Sequence, residues 1–479
     1  MLLKGFFRSG MVLAAALAIG IIALLASIPY AMVKRPAPHP LGVSAERAII
    51  ANVNVLTMAD PDILPRQFVR IEEGRIVSIS AAPPDKMEDY AVIDGDGLTL
   101  TPGLIDMHTH IFDRSDLANY LANGVTTVRN MMGMPMHLRL RAETASGVIT
   151  GPRLVTSSPT INGGDFAPFH VFPKDADDAR RLVRRYRSCG YDFIKIYDGL
   201  SPDIFAAIVD EAAKAEMDVA GHLPRALKLQ EILAAGLVSV EHAEEVYSTQ
   251  LTGDDAAAQL DSIAEQIVAS QTAITPTLIA YRNLQRANAD PEGFFKSVDL
   301  DRINPVVQFF DHRAADDFIR HGKPERIERK MRLMTALMRR LYDRGGPVLL
   351  GTDTGPAFTV AGRSLHDEIA LSAEAGVAPY SILHSGTAAA AAALNRAGEI
   401  GVIAPGARAE LILVAENPLS NLSTLRRPVG VFMNGRYYDR KALDKLEQNG
   451  ARTSSAYATI GWLLWQQLTG GEVCPAAAN

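Results

Sequence analysis

Two histidines that alternate along one short apolar segment are the first candidates for chemistry. His108 and His110 end the segment GLIDMHTH, residues 103–110, which follows Pro102. In a β-strand, residues two apart point to the same face, so both imidazoles can reach one metal ion. An H-x-H pair alone is weak evidence, because histidines pair by chance. Its position at the end of an apolar strand strengthens the prediction of a metal site.

Further polar residues lie in or at the ends of other apolar segments. Lys195 lies inside the segment DFIKIYD, whereas His222, His242 and Asp353 each end a segment. A lysine among buried strand residues is costly unless it is paired or chemically modified. In a parallel barrel, the carboxyl ends of the strands meet at the active site. Packing alone does not explain so many ligand-type residues at strand ends.

Short apolar strands alternate with amphipathic helices from residue 103 onward, such as the helices predicted over 175–190 and 201–217. This alternation predicts an α/β fold, a (β/α)8 TIM barrel. A doubly wound open sheet is the alternative, but the chain has no glycine-rich phosphate-binding sequence to support it. The eight strand candidates are residues 103–110, 124–130, 153–158, 192–198, 218–222, 237–242, 272–278 and 347–353.

Strand-rich segments flank the barrel region on both sides. Residues 46–100 and 399–440 contain short alternating strands separated by turn residues. We expect these two parts to pair into one small β-sandwich domain, with the barrel over 101–398. Within the barrel, 282–330 is too long for a plain βα unit, and we interpret it as an insertion near the mouth that could act as a lid. Residues 441–479 are predicted to form a helical tail.

The N-terminus is predicted to carry an export signal. Residues 10–32 are apolar, follow two basic residues and are long enough to span a bilayer. Residues 1–32 therefore predict an uncleaved signal-anchor or a cleaved signal peptide. Residues 33–45 are rich in proline and resemble a linker. We expect an exported enzyme, anchored by this helix and facing the periplasm or extracellular side, or secreted if the signal is cleaved.

Composition excludes several classes of protein. The chain has 479 residues with 48 Lys+Arg and 54 Asp+Glu, so its net charge of −6 gives no support for a nucleic-acid partner. Its two cysteines exclude a disulfide scaffold and a cysteine-rich zinc site. One disulfide between Cys189 and Cys474 is formally allowed, although we expect them to be unpaired. The tail segment 455–468 holds both tryptophans, and packing on the barrel or a subunit interface explains it more simply than membrane contact.

These residues resemble the amidohydrolase superfamily, in its prolidase and imidazolonepropionase-like branch, over residues 46–440. The resemblance rests on PGLIDMHTH, Lys195, His222, His242 and Asp353. It implies two divalent metal ions bridged by a carboxylated Lys195. The first ion would be held by His108, His110 and Asp353, and the second by His222 and His242. Zinc is expected from these ligands, and Mn²⁺, Co²⁺ or Fe²⁺ would also fit them.

The resemblance also implies hydrolysis of an amide bond, in Xaa-Pro-like dipeptides or N-acyl amino acids. A metal-bridging hydroxide would attack, with Asp353 as general base and then acid. Deamination is disfavoured, because Arg225 stands where deaminases of this superfamily commonly have glutamate after the strand-five histidine. Imidazolonepropionases lack the residue equivalent to Lys195. The candidates for contact with the substrate are Arg225, Tyr247, Arg129 and His170, the last of which is more simply a solvated loop residue.

Other functions remain open on the same centre. Binuclear sites of this kind can hydrolyse cyclic amides, lactones or phosphotriesters, or support an isomerase or decarboxylase. A non-catalytic, membrane-tethered barrel is the non-enzymatic alternative. The complete ligand set favours an enzyme that acts on a small molecule or dipeptide, and a homo-oligomer is compatible with the sequence.

Overall fold

The computed structural model describes residues 19–31, 42–164, 167–469, 471 and 474. The strands are β1 Val43–Ser44, β2 Arg47–Leu56, β3 Ile63–Glu72, β4 Arg75–Ser80, β5 Ala91–Asp94, β6 Thr99–Pro102, β7 Leu104–Thr109, β8 Val125–Asn130, β9 Arg153–Thr156, β10 Phe193–Ile196, β11 Asp218–Gly221, β12 Ser239–Glu241, β13 Ala273–Thr275, β14 Leu411–Val414, β15 Gly430–Met433 and β16 Arg436–Asp439.

The α-helices are α1 over residues 19–31, α2 Ser115–Ala122, α3 Pro135–Ala145, α4 Ala176–Cys189, α5 Pro202–Lys214, α6 Leu229–Ala234, α7 Ala243–Gln250, α8 Ala256–Ser270, α9 Leu278–Ala289, α10 Pro291–Ser297, α11 Pro305–His321, α12 Pro324–Asp343, α13 Arg363–Glu374, α14 Pro379–Ser385, α15 Ala388–Ala393, α16 Arg440–Thr453 and α17 Ala456–Thr469. Short 3-10 turns cover Met87–Asp89, Leu300–Arg302 and Leu422–Arg426.

The two ends of the chain form one nine-stranded sheet, in the order β1-β16-β15-β14-β6-β2-β3-β4 with β5 paired to β2. Alternate residues of β2, such as Val53 and Val55, pack with Leu411 and Phe432 in one apolar core. A hydrogen bond also joins strand β4 to the segment that precedes β14: the Ile76 N–H donates to the Ala407 carbonyl at 2.8 Å. The predicted small β-domain built from both ends is therefore confirmed.

The barrel strands form two parallel sheets, β7-β8-β9 and β10-β11-β12-β13. Single bridges continue the order, pairing Ser157 with Phe193 and Ile274 with Val348. A bridge from Thr109 to Thr354 connects the last segment back to β7. The TIM-barrel prediction is confirmed, although the sheet is not continuously hydrogen-bonded round the ring. Residues 347–353 contribute a single bridge, at Val348, where we predicted a full strand.

Helix α4 begins and ends at residues of the types that usually cap helices. The Asp175 carboxylate accepts a hydrogen bond from the Asp178 N–H at 2.9 Å and caps α4, and Gly190 ends the helix with φ of 86°. The face of α4 that carries Leu182 and Val183 is buried against the barrel. The predicted insertion, 282–330, contains most of α9, all of α10 and α11, and the start of α12. Its role as a lid stays a prediction.

The chain termini depart from the predictions in two places. Cys189, the last residue of α4, forms a disulfide with Cys474, so our expectation that these cysteines are unpaired is wrong. They lie 285 residues apart in the sequence, and only the path of the tail across the barrel brings them together. Within the predicted linker, β1 pairs with β16. Most of the predicted anchor and linker, residues 1–18 and 32–41, lies outside the described residues.

Among the residues that the structure describes, no helix is long and apolar enough to cross a membrane.

Candidate active site

The predicted ligands converge at the carboxyl ends of the barrel strands. His108 lies in β7 and His110 directly after it, while Asp353 ends the last barrel segment, residues 347–353. The Asp353 Oδ1 atom lies 3.3 Å from His108 Nε2 and 3.0 Å from His110 Nε2. His108, His242 and Asp353 each offer one ligand atom, and these atoms all lie within 4.8 Å of one another. This group could hold a metal ion.

The remaining predicted histidine stands beside this group. His222 follows β11, and its ring centroid lies 4.8 Å from that of His242. The His242 ring in turn lies 4.5 Å from the His108 ring. The structure therefore brings all four predicted histidines and Asp353 into one cluster, in which the Nε2 atoms of His108 and His110 also lie 3.3 Å apart.

Three of the histidines are oriented by hydrogen bonds on their outer side. The Nδ1 atoms of His108 and His222 lie 2.7 Å from Glu241 Oε2 and 2.9 Å from Glu245 Oε1. His242 Nδ1 lies 2.7 Å from Thr277 Oγ1. A carboxylate only accepts, so each of the first two rings donates from Nδ1 and keeps the lone pair on Nε2. Metal-binding histidines usually have this arrangement.

Burial sets the charge states of the cluster. It lowers the pKa of His108, His222 and His242 below the ordinary histidine value, so the rings are neutral and able to act as ligands near neutral pH. Burial by itself raises the pKa of the Asp353 carboxyl. The neighbouring histidines, chiefly His242 and His110, outweigh that effect and bring its pKa below the usual range. Neutral imidazoles around an ionised carboxylate fit a divalent cation.

Lys195 lies in β10, inside the barrel and buried. Within the described part of the chain, its Nζ atom has no hydrogen-bond partner. Burial lowers its pKa to about 8, although Glu241 and Asp353 act in the opposite direction. A buried, unpartnered amine is costly as an ammonium ion. A carboxylated lysine at this position would instead present oxygen atoms to a metal.

Arg129, a candidate for substrate contact, does not lie at the mouth of the barrel. Its side chain is fully buried inside the barrel, where Nη2 donates to Glu241 Oε1 at 2.7 Å and Nη1 to Ser239 Oγ at 2.9 Å. Its Nε atom donates to the Met107 carbonyl at 2.6 Å. Val128 faces the helices, so strand alternation turns Arg129 towards the barrel interior rather than the mouth.

The other substrate candidates lie around the mouth. Arg225 is a rim residue whose side chain is 75% exposed, and its Nη2 atom lies 2.5 Å from Asp198 Oδ2. His170 is half-buried, and its ring lies 4.7 Å from that of Tyr197, which stacks on His222 at 3.9 Å. Tyr247 lies on α7, with its ring against Lys330 of α12. Whether these three residues contact a substrate stays a prediction.

Three residues at or beside the metal cluster have strained backbones. His242, Thr277 and Asp353 have positive φ angles of 68°, 49° and 57°, which non-glycine residues rarely adopt. Each costs about 1–3 kcal/mol and persists only where the surrounding structure imposes it.

Several site residues escaped the sequence prediction, namely Glu241, Glu245 and Thr277. Of the three, only Glu241 could have been found from the alternation of side chains along its strand. It shares a face with Ser239 and therefore points into the barrel. Glu245 follows on a helix and Thr277 lies beyond β13. Their role depends on which histidine they contact, and only the fold shows this.

Residues 99–437 match the amidohydrolase family. The chain belongs to the amidohydrolase family. It is therefore a hydrolase of carbon–nitrogen bonds, as the resemblance implied. An imidazolonepropionase of Geobacillus kaustophilus (strain HTA426) is 24% identical to this amidohydrolase over an alignment of 423 residues that covers 74% of this chain and 85% of that protein.

Solved structures show the same fold. A bottromycin amidohydrolase superposes with a TM-score of 0.71 at 24% identity, covering 90% of this chain and 94% of its own. A Xaa-Pro dipeptidase with bound methionine in its active site gives a TM-score of 0.65 at 20% identity, covering 82% of this chain and all of its own. The fold class and the assignment to the prolidase and imidazolonepropionase-like branch are confirmed.

Proposed function

We propose that this amidohydrolase cleaves the amide bond of a dipeptide or an N-acyl amino acid. The observation that carries the proposal is the buried, unpartnered Lys195 beside the cluster of His108, His242 and Asp353. A carboxylated Lys195 would allow two ions to share the site, and a two-ion centre suits amide hydrolysis. The fold shared with a Xaa-Pro dipeptidase supports the same substrate class.

Two divalent ions, zinc for preference, would be held by Asp353, a carboxylated Lys195 and the four histidines, His108, His110, His222 and His242. When bound, they would supply Lewis acidity that polarises the scissile carbonyl and makes water a better nucleophile. Asp353 is placed and ionised to act as the base. It takes a proton as the water oxygen adds to the carbonyl carbon, then gives it to the amine nitrogen as the C–N bond breaks.

The rim supplies one residue suited to a substrate carboxylate. The Arg225 guanidinium is exposed and held near the mouth by Asp198. A substrate with a free α-carboxylate could compete for that guanidinium, whereas an uncharged amide could not. This preference is part of the proposal.

A substrate screen tests the proposed function. The full chain, loaded with zinc, is offered a library of dipeptides and N-acyl amino acids in ¹⁸O-labelled water. We expect release of the free amine with one heavy oxygen in the new carboxylate, and loss of turnover in Asp353→Asn. Absence of hydrolysis across both libraries, in protein shown to contain about two ions per chain, would refute the proposal.

Ring opening of a cyclic amide is the second candidate, because the similar Geobacillus protein is an imidazolonepropionase. The same screen with imidazolone propionate distinguishes the two. Turnover of that compound without turnover of linear amides would replace the first proposal.

We further propose that the enzyme acts outside the cytoplasm, held by its N-terminal apolar segment. The disulfide between Cys189 and Cys474 supports this, because disulfides persist mainly in oxidising compartments. Fractionation of cells that express the full chain, with protease added to spheroplasts, tests it. Protection from protease in spheroplasts and full accessibility after lysis would contradict a site outside the cytoplasm.

A further inference from the structure

The described N-terminal helix, α1, leaves the body of the protein with apolar side chains on every side. Residues 19–26 are all exposed, and Ile19 is 67% exposed. No charged residue occurs between Arg8 and Lys34. A helix that is apolar all round is normally buried in protein or in a membrane. Here the protein covers only its last turns.

Those last turns pack on α17 through a close helix contact. Ser27 and Ala31 are buried, and a side chain on Gly461 would collide with both. The Tyr457 hydroxyl donates to the Ala23 carbonyl at 2.5 Å. The position of α17 therefore decides from which face of the protein α1 emerges.

α17 lies across the mouth end of the barrel. The Thr459 hydroxyl donates to the Phe112 carbonyl at 3.2 Å, two residues beyond His110. Gln467 accepts a hydrogen bond from the Phe169 N–H at 3.2 Å, in the loop after β9. Both contacts are to loops that follow the carboxyl ends of barrel strands. The apolar helix α1 thus emerges on the face that opens to the active site.

The insertion helix α11 adds exposed aromatic side chains to the same face. Its Asp311 carboxylate accepts hydrogen bonds from the Ala357 and Phe358 N–H groups at 3.0 and 2.9 Å, in the loop after Asp353. Phe309, two residues away, is 59% exposed, and Phe310 is also exposed. Exposed apolar groups this large and this close together are unusual on a soluble surface.

We propose that a lipid bilayer covers this face, so that the mouth of the barrel opens towards the membrane surface. A second copy of the chain would need to wrap all sides of α1, whereas lipid does so naturally. The apolar sequence continues from α1 back to residue 10 and is long enough to span the bilayer core. The half-buried Trp462 and Trp465 of α17 would then lie at the interface, where tryptophan is enriched.

This orientation narrows the substrate class and rests on the proposed function. An amide whose acyl chain stays in the bilayer would present its polar head directly to the mouth. A long-chain N-acyl amino acid fits this description better than a soluble dipeptide.

Tryptophan fluorescence tests the docking without any need for activity. The chain has two tryptophans, both in α17. In full-length protein reconstituted into vesicles of phosphatidylcholine brominated on its acyl chains, we expect loss of their fluorescence relative to unbrominated vesicles. The matched control carries Trp462→Phe and Trp465→Phe with Val148→Trp. Val148 is 59% exposed in the turn before β9, at the opposite end of the barrel, so its fluorescence should not be quenched.

Equal quenching of the two proteins, or none in either, overturns the docking proposal.

A second experiment uses the variant with Phe309→Asp and Phe310→Asp. It should lose kcat/KM on a long-chain N-acyl amino acid held in vesicles but keep it on a short, soluble one, whereas Val148→Asp should change neither. An equal loss on both substrates would contradict the membrane-facing mouth. Quenching of α17 without hydrolysis of any dipeptide or N-acyl amino acid would leave the docking supported and refute the proposed function.

Discussion

Glu241 Oε2 lies 2.7 Å from His108 Nδ1 in the buried interior of the barrel. Its other oxygen accepts a hydrogen bond from Arg129, also at 2.7 Å. Burial by itself raises the pKa of Glu241, but the charges of Arg129 and Lys195 and the hydrogen bond from Ser239 together outweigh it and keep the pKa below its usual value. The ionised carboxylate can only accept, so it fixes the His108 ring with Nε2 facing the metal cluster.

We expect Glu241→Gln to lower metal affinity by about 10–100-fold, because a neutral amide orients and polarises the imidazole less well than a carboxylate. Competition with a chelator of known affinity measures this. Glu410→Gln is the matched control, since Glu410 is also buried and paired with arginines, Arg153 and Arg408, but lies in the β-domain. Equal metal affinity in the two variants would show that Glu241 does not position His108.

The metal cluster itself could be predicted from sequence because each ligand ends an apolar strand. Strand ends have a fixed position in a barrel, so residue type and spacing are sufficient there. Arg129 shows the limit of this reasoning. It stands one residue from the end of its strand, yet its side chain points down into the barrel, and only the pairing with Glu241 reveals where it is held. The disulfide is a second limit, since no local signal places Cys474 beside α4.

Lys195 is expected to support metal binding but to lower the stability of the metal-free protein. In metal-free protein at pH 7, we expect Lys195→Met to raise the free energy of unfolding by about 1–4 kcal/mol, because it removes an unpaired buried charge. The same variant should bind no more than one ion per chain. Denaturant unfolding and metal analysis measure the two effects. Lys214→Met, at an exposed lysine on α5, is the control and should change neither. Full metal content in Lys195→Met would exclude a bridging role.

Arg225 is expected to act in substrate binding rather than in the chemical step. Arg225→Met should lower kcat/KM by about 10–100-fold on a carboxylate substrate, mainly through a higher KM, because a charged hydrogen bond contributes about 1.5–3 kcal/mol. Steady-state kinetics on the free acid and on its carboxamide separate the effects. The carboxamide should react equally with both proteins. An equal loss on both substrates would assign Arg225 a structural role instead.

The buried ring of His137 is expected to make the stability of the fold sensitive to acid. Its Nδ1 atom accepts from the Met134 N–H at 2.9 Å, so Nε2 carries the proton and donates to the Ile111 carbonyl at 2.8 Å. Burial lowers the pKa of this histidine to about 4. The unfolded state binds a proton near pH 6.5, so the contribution to stability is complete above that pH and is lost as the pH falls towards 4. The loss approaches about 3 kcal/mol.

Unfolding free energies measured across this range should therefore fall less steeply for His137→Gln than for the parent protein. His321→Gln provides the control, because His321 is exposed and should leave the slope unchanged. Identical slopes for His137→Gln and the parent would contradict the neutral, buried state of this ring.

The disulfide should hold the tail against the barrel. Cys189 ends α4 and Cys474 follows α17, so breaking this bond frees the tail at its far end while the barrel helices stay in place. We expect Cys189→Ser to accelerate proteolytic cleavage beyond residue 453 by at least about tenfold, because a disulfide typically contributes about 2–4 kcal/mol. Mass spectrometry of the fragments measures this. Cys474→Ser and the double variant should match it, since all three remove the same bond. Two free thiols in the parent protein purified without reductant, or unchanged cleavage in all three variants, would show that the bond does not hold the tail.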